Sequence, residues 1–236
     1  MRAYIAFPLP MPPRRIRNAI AVFFCAFAAI VAVIAPVRAA HAETVTLVAF
    51  GDSLTQGYGL PQEQGFVPQL QTYLTAAGDD VVVINAGVSG DTTAGGAARI
   101  DWTLTDDVDA VIVNLGGNDL LRGLPPEQTR SKMDKIAGAI AAKGLPMLIV
   151  AMTAPPNYGA DYQAAFDAIY PEIAAKYGAE VTQPYFTPIT GGNSDPSAAR
   201  AFMQDDGIHP NAEGVAKLVA GHGPQIRLLV AKAAAK

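Results

Sequence analysis

Short, nearly unbroken apolar runs rich in valine and isoleucine recur along this sequence and constrain its fold more than any other feature. Four of the runs are strong and the fifth is weaker: Thr44–Phe50, Val81–Asn85, Ala110–Leu115, Pro146–Ala151 and Glu180–Gln183. Strands that are buried on both faces have this continuous pattern, whereas half-exposed strands alternate apolar and polar residues. The runs therefore predict a sheet of about five interior strands.

Segments with helical periodicity separate these runs. They extend from Phe66 to Gly78, from Asp91 through Leu104, from Pro125 to Gly144 and from Tyr158 to Tyr177, the last kinked or divided at Pro171. Strands that alternate with helices predict a mostly parallel sheet covered on both faces, which is a three-layer α/β/α domain. In such a sheet, functional loops follow the carboxyl ends of the strands.

The first 42 residues have the pattern of a secretory signal. Arg14, Arg15 and Arg17 precede an uncharged apolar run over Ala19–Pro36, and Ala40-His41-Ala42 follows it. A basic segment, an apolar segment and an A-x-A site predict a signal peptide over residues 1–42 that is cleaved after Ala42. Residues 43–236 would then form one domain that is exported, to the periplasm or beyond the cell. A retained membrane anchor is the alternative, because the apolar run is close to the length that spans a bilayer.

The charge of the predicted mature chain limits its partners. Residues 1–42 hold five of the 17 basic side chains and no acidic one, so residues 43–236 carry 12 basic and 21 acidic side chains and a net charge of −9. An acidic chain without a basic stripe argues against nucleic acid as a partner. Its only cysteine, Cys25, lies in the predicted signal, so the mature chain has neither a disulfide nor a thiol nucleophile.

The segment Gly51-Asp52-Ser53-Leu54 follows the first predicted strand directly. Ser53 is a candidate nucleophile at the strand's carboxyl end, and a helix-capping role for this serine is the alternative. The segment is neither the Gly-x-Ser-x-Gly turn of α/β-hydrolases nor a phosphate-binding loop. By itself it therefore leaves the two roles of Ser53 open.

Two further segments follow the second and third predicted strands. Gly90 lies in Ser89-Gly90-Asp91-Thr92, where a glycine allows a backbone N–H to approach an anion at a helix start. A tight turn before a capped helix is the alternative. Asn118 lies in Gly116–Asp119 and can present an amide donor to a developing oxyanion, or stabilise the turn through its own backbone.

The mature chain has two histidines, and their surroundings differ. Asp206 precedes His209 by three residues across a glycine, so its carboxylate can reach one imidazole nitrogen and orient the ring as a general base. His222 lies between two glycines just before Pro224, which predicts a solvated residue in a helix-ending turn. A metal site needs more ligands than one histidine and two aspartates at this spacing, and the sequence has no further His or Cys cluster, so no metal is expected.

These segments together resemble the four sequence blocks of the SGNH (GDSL) hydrolase superfamily, named after a Ser, a Gly, an Asn and a His. Here these positions are Ser53, Gly90, Asn118 and His209. The resemblance covers essentially all of residues 43–236 and is greatest to the bacterial periplasmic acyl-CoA thioesterase I, lysophospholipase L1 and arylesterase subgroup. The matching segments are Gly51–Leu54 with Gly57-Tyr58, Ser89–Thr92, Leu115–Asp119 with Leu121–Gly123, and Asp206–Asn211.

The resemblance implies a flavodoxin-like sheet and a serine hydrolase that cleaves carboxylic esters and thioesters without a cofactor. Ser53 would be the nucleophile, His209 the base and Asp206 its orienting group. The backbone N–H groups of Ser53 and Gly90 and the amide of Asn118 would form the oxyanion hole.

The expected substrates are small acyl esters or thioesters, with lysophospholipid as a candidate, and the alternative is an acetylesterase acting on sugars or cell-wall glycans. Leu120, Leu121 and Tyr158 either contact an acyl chain or pack in the core. The segment Tyr185–Ala201 is the least familiar part, and it leaves the acyl pocket open. The oligomeric state is open as well.

Overall fold

The computed structural model describes residues 44–193 and 196–236, so the predicted signal over residues 1–42 lies outside the described residues. The strands are Val45–Gly51 (β1), Val81–Gly87 (β2), Ala110–Asn114 (β3), Met147–Ile149 (β4) and Glu180–Val181 (β5). They pair in parallel throughout, in the order β2-β1-β3-β4-β5. Each strand lies at a predicted run, so the expected parallel sheet is confirmed, and the order is that of flavodoxin-like folds.

Helices connect the strands and follow the last one. They are Ser53–Gln56 (α1), Phe66–Ala76 (α2), Thr93–Thr103 (α3), Gly117–Leu121 (α4), Pro126–Ala142 (α5), Ala160–Asp167 (α6), Ile169–Tyr177 (α7), Thr187–Thr190 (α8) and Ala212–Ala234 (α9), with 3₁₀ turns at Gln62–Gln64, Pro156–Tyr158 and Pro196–Phe202. Helices α2 and α9 pack together on one face, and α3, α5 and α7 form the second helical layer. The three-layer α/β/α architecture is therefore as predicted. No helix within residues 44–193 and 196–236 has the length and apolar character to cross a bilayer.

The edge strand β2 departs from the prediction that the strands are buried on both faces. Val81 and Val83 are buried, but Val82 and Ile84 are exposed. β2 is an edge strand, and the alternation of buried and exposed residues shows that one of its faces is covered while the other is in contact with solvent. A continuous apolar run thus predicted the strand correctly and its burial wrongly.

The predicted break near Pro171 is confirmed, but it falls three residues earlier. Helix α6 ends at Asp167 and α7 begins at Ile169, so Pro171 lies in the first turn of α7. Backbone N–H groups in a first helical turn have no partner within the helix, and proline loses nothing there.

The prediction for His222 is wrong. This histidine is 1% exposed and lies inside α9, which continues past Pro224 to Ala234. The flanking glycines do not end the helix. They allow close contact, because a Cβ at Gly221 would approach Pro188 to 2.3 Å and one at Gly223 would approach the Tyr73 ring to 2.4 Å.

The carboxyl ends of the three strands that precede the candidate segments lie side by side. Gly51 of β1 pairs in register with Gly87 of β2 and with Asn114 of β3. The connection after β1 leads to β2 on one side of it, and the connection after β2 leads to β3 on the other side. This reversal makes the carboxyl end of β1 a topological switch point, where ligands bind in open α/β sheets. The loops that carry Ser53, Gly90 and Asn118 therefore start at the same level of the sheet.

Candidate active site

Ser53 is the first residue of α1, and it does not cap that helix. Asp52 is the N-cap, and its Oδ1 accepts a hydrogen bond from the backbone N–H of Leu54 at 3.0 Å. The capping role weighed for Ser53 thus belongs to its neighbour. The hydroxyl of Ser53 is left to make a different contact.

That contact is with His209, 156 residues away along the chain. His209 Nε2 lies 2.8 Å from Ser53 Oγ, and His209 Nδ1 lies 2.6 Å from Asp206 Oδ2. The other oxygen of Asp206 accepts the backbone N–H groups of Ile208 and His209 at 2.9 and 3.0 Å. The short turn therefore holds the carboxylate and the imidazole in line with the serine hydroxyl.

The charge state of Asp206 determines the tautomer of His209. Partial desolvation raises the pKa of the Asp206 carboxyl, but hydrogen bonds from His209 and from two backbone N–H groups outweigh it and lower the pKa to about 2. An ionised carboxylate only accepts hydrogen bonds, so Nδ1 carries the hydrogen that it donates to Asp206. Nε2 is then the unprotonated nitrogen that faces Ser53, as a general base requires.

Gly90 lies in a turn and not at a helix start. The N–H of Asp91 bonds the carbonyl of Val88 at 3.1 Å, and Gly90 is the third residue of this turn with a φ of 84°. Side chains other than hydrogen are strained at this φ, which explains the glycine. Helix α3 begins only at Thr93, with Thr92 as its N-cap. The backbone N–H of Gly90 is therefore not part of a helix N-terminus, contrary to the prediction.

The amide of Asn118 already donates both of its hydrogens within the protein. Its Nδ2 lies 2.9 Å from the carbonyl oxygen of Asp91 and 3.3 Å from Oδ2 of Asp52. Because both neighbours are acceptors, the amide nitrogen must face them. Each hydrogen of the amide already has an acceptor, so an oxyanion must replace or share one of these bonds to receive a hydrogen from Asn118.

Asp52 is a participant that the sequence interpretation missed, although it adjoins Ser53. Its carboxyl is buried, and burial raises its pKa to about 6. The hydrogen bonds from Leu54 and Asn118 and the proximity of His209 lower the pKa, but only in part. An aspartate beside a candidate nucleophile was the available signal, but its contact with Asn118 depends on the tertiary structure.

We expect Asp52→Asn to remove the fall in stability that the buried carboxyl of Asp52 causes as the pH rises. The pKa of Asp52 is about 6 in the folded state against 3.8 without burial, so the stability it contributes is complete below about pH 4 and is lost as the pH rises through 6. The difference between these two pKa values corresponds to about 3 kcal/mol at most. In urea unfolding, the difference between Asp52→Asn and the unmodified protein should grow in favour of the variant from pH 5 to pH 8. An equal difference at both pH values would contradict the buried carboxylate.

Two arginines, Arg99 and Arg122, join the loops that carry the site. The sequence offered no signal for Arg99. Arg99 donates to Asp91 Oδ2 at 2.7 Å and to the carbonyls of Ala86 and Gly51 at 2.9 and 2.8 Å, which fastens the ends of β1 and β2 to each other. Arg122 Nη2 donates to the carbonyl of Gly90 at 2.9 Å. The positions of Ser53 and Gly90 thus depend on contacts from α3 and from the loop after α4.

A cavity of about 610 Å³ opens at Ser53 and His209, and its wall is largely apolar. The segment Tyr185–Ala201 supplies part of this wall through Tyr185, Phe186, Thr190, Asn193 and Ala199. Leu120 and Leu121 also line the cavity. Tyr158 instead donates its hydroxyl to the Leu120 carbonyl at 2.6 Å, and its ring stacks on Tyr162. The two leucines are thus placed to contact an acyl chain, and Tyr158 supports the loop behind them.

His222 supports the cavity wall from behind. Its Nε2 donates to the Tyr185 carbonyl at 2.9 Å, and its ring lies parallel to the Tyr185 ring. Burial lowers the pKa of His222, so the ring stays neutral in the core. Within the described part of the chain, no group of three or more His, Cys, Asp or Glu side chains could hold a metal ion.

This chain is similar to known esterases and thioesterases over most of its length. Residues 49–217 match the model of the GDSL-like lipase/acylhydrolase family. The esterase TesA of Pseudomonas aeruginosa is 37% identical over 191 residues, which cover 80% of this chain and 92% of that protein. Thioesterase 1/protease 1/lysophospholipase L1 of Escherichia coli is 35% identical over 177 residues, 75% of this chain and 79% of that protein. The crystal structure of AlinE4, an SGNH-hydrolase family esterase, has a TM-score of 0.64 and 40% identity, covering 79% of this chain and 96% of its own.

Proposed function

Since the chain belongs to the GDSL-like lipase/acylhydrolase family, the SGNH hydrolases, we propose that Ser53 is its nucleophile, His209 its general base and Asp206 the orienting carboxylate. The chain is a carboxylic ester and thioester hydrolase. The observation that carries the residue assignment is the unbroken line of hydrogen bonds from Asp206 through His209 to Ser53, at 2.6 and 2.8 Å. This line ends at an apolar cavity of a size suited to an acyl group.

The first half of the reaction forms an acyl-enzyme. His209 Nε2 takes the proton of Ser53 Oγ as that oxygen bonds to the acyl carbonyl carbon. The imidazolium is stabilised by the ionised Asp206 and then gives the proton to the departing alcohol or thiol. In the second half, the same imidazole activates a water that attacks the acyl-enzyme and restores Ser53.

The oxyanion of each tetrahedral intermediate needs donors beside Ser53. We assign this role to the backbone N–H groups of Ser53 and Gly90 and to the amide of Asn118. Ser53 is the first residue of α1, where a backbone N–H has no acceptor within its helix. The amide of Asn118 would exchange its 3.3 Å bond to Asp52 for the oxyanion. Loss of one such donor in other enzymes slows turnover by about 100- to 1000-fold.

The cavity wall favours acyl groups longer than acetyl as substrates. Met152, Phe186 and Met203 line it together with the leucines of α4. Such a wall gains free energy from each methylene that it removes from water, whereas an acetyl group leaves most of the cavity unfilled. We therefore propose small acyl esters and thioesters, including lysophospholipid, ahead of acetylated sugars or cell-wall glycans.

A series of p-nitrophenyl esters tests this choice of substrate. Each added methylene is worth about 0.8 kcal/mol when buried, so kcat/KM should rise about fourfold per methylene from acetate until the cavity is full. Acetylated xylan and lysophosphatidylcholine are measured beside the series. A preference for acetate, with rapid deacetylation of xylan, would favour the carbohydrate acetylesterase instead.

We further propose that the protein is exported and that its signal is removed after Ala42. The basic, apolar and A-x-A segments over residues 14–42 support this. The mature chain would then act in the periplasm or outside the cell, with no cofactor.

A further inference from the structure

Exposed apolar side chains are concentrated at the mouth of the cavity. Of the eight large apolar side chains that are exposed in the described residues, four lie on the loops that carry the site or at the end of α4: Tyr58, Val88, Leu121 and Ile208, each between 42% and 57% exposed. Three of these four also line the cavity, and Val88 adjoins Ser89, which does. We call these four residues the mouth rim. Isolated exposed apolar residues are ordinary, but a cluster around one opening marks an interaction surface.

Hydrogen bonds and ring contacts order the loops of the rim. The ring of Tyr58 lies 4.7 Å from that of His209, and Gln204 Nε2 donates to the Tyr58 carbonyl at 2.8 Å. On the other side, the bond from Arg122 to the Gly90 carbonyl joins the loops of Leu121 and Val88. The rim therefore presents its apolar side chains on ordered loops around the opening.

The rim and the cavity that opens at Ser53 share apolar residues. Leu121 and Ile208 belong to both, and the cavity wall continues inward through Phe186 and Met203. An acyl chain that enters along these residues keeps apolar contact. A lipid whose acyl chain reaches the cavity from free solution must first leave its lipid aggregate.

We propose that the mouth rim docks on the surface of aggregated zwitterionic lipid and receives acyl chains from it directly. This inference rests on the proposed function, because it concerns how the substrate of the same site arrives. The choice of a zwitterionic surface follows from charge. Residues 43–236 carry a net charge of −9, which disfavours an anionic lipid surface.

Vesicle sedimentation tests the docking without any catalysis. Protein with Ser53→Ala is mixed with phosphatidylcholine vesicles that contain lysophosphatidylcholine, and the bound fraction is measured. Adding Val88→Ser and Leu121→Ser should weaken vesicle binding about tenfold or more, because two apolar side chains no longer enter the lipid. Replacing half of the phosphatidylcholine with phosphatidylglycerol should also weaken binding.

Trp102→Ser and Leu228→Ser are matched controls, since these side chains are 84% and 70% exposed but lie away from the mouth. Along the helix axis, Trp102 lies about 14 Å from the first residue of α3, and Leu228 lies about 24 Å from the first residue of α9. Both controls should bind vesicles like the parent protein.

Three results would overturn the proposal. They are equal vesicle binding by rim and control variants, tighter binding to phosphatidylglycerol, and a dimer in sedimentation equilibrium that only the rim variants dissociate. The last result would assign the rim to a second copy of the chain. Hydrolysis of p-nitrophenyl butyrate by the unmodified protein is measured separately, so failure of the docking is distinguishable from failure of the proposed function.

Discussion

Ser53→Ala is expected to lower kcat for ester hydrolysis by about a millionfold, because the reaction then has no nucleophile. The hydroxyl of Ser53 lies 2.8 Å from His209 Nε2, and removing it leaves the base with nothing to activate but water. Residues 43–236 contain no cysteine that could take over as a nucleophile. Turnover of p-nitrophenyl butyrate by the purified variant, with circular dichroism to verify folding, measures the loss.

Labelling with a fluorophosphonate probe provides the control for this result. The probe forms a covalent bond only with an activated serine, so it should label the unmodified protein and not Ser53→Ala. Ser89 also lines the cavity, but its hydroxyl donates to the side chain of Gln56 at 3.1 Å. Ser89→Ala should therefore still be labelled. Undiminished esterase activity in Ser53→Ala would refute the assignment of the nucleophile.

Asp206→Asn is expected to lower kcat by about 10⁴-fold. The carboxylate accepts the Nδ1 hydrogen of His209 and so leaves Nε2 unprotonated toward Ser53. An asparagine can donate to Nδ1, which moves the imidazole hydrogen to Nε2 and removes the base. It also lacks the negative charge that stabilises the imidazolium. Steady-state rates over the chain-length series, at fixed pH, measure the effect on kcat and KM separately.

Asp205→Asn is the matched control, because Asp205 is an exposed carboxylate one residue from Asp206. It removes the same charge from the same loop and should leave kcat within about twofold, since exposed substitutions of this kind have small effects. If both variants lost activity equally, the charge of the loop and not the contact with His209 would be responsible. A variant Asp206→Asn with full activity would exclude the orienting role.

Secondary structure follows from the sequence more closely than the burial of individual side chains does. The runs of Val and Ile located all five strands, because apolar continuity and period are local properties of the chain. The exposure of Val82 and Ile84 was missed, since it depends on β2 being at the edge of the sheet. His222 was assigned to a turn from its glycine neighbours, whereas those glycines admit Pro188 and Tyr73 against a continuing helix.

The sequence by itself determined the fold class and the four segments that meet at the site, because strand ends of a parallel sheet share one edge and Asp206 and His209 are neighbours in the chain. Only the tertiary structure decided how the site is held and what surrounds it. The two bonds of the Asn118 amide, the contacts of Arg99 and the apolar rim each join residues that are distant in sequence. Such contacts depend on how helices and loops pack, which no local pattern encodes.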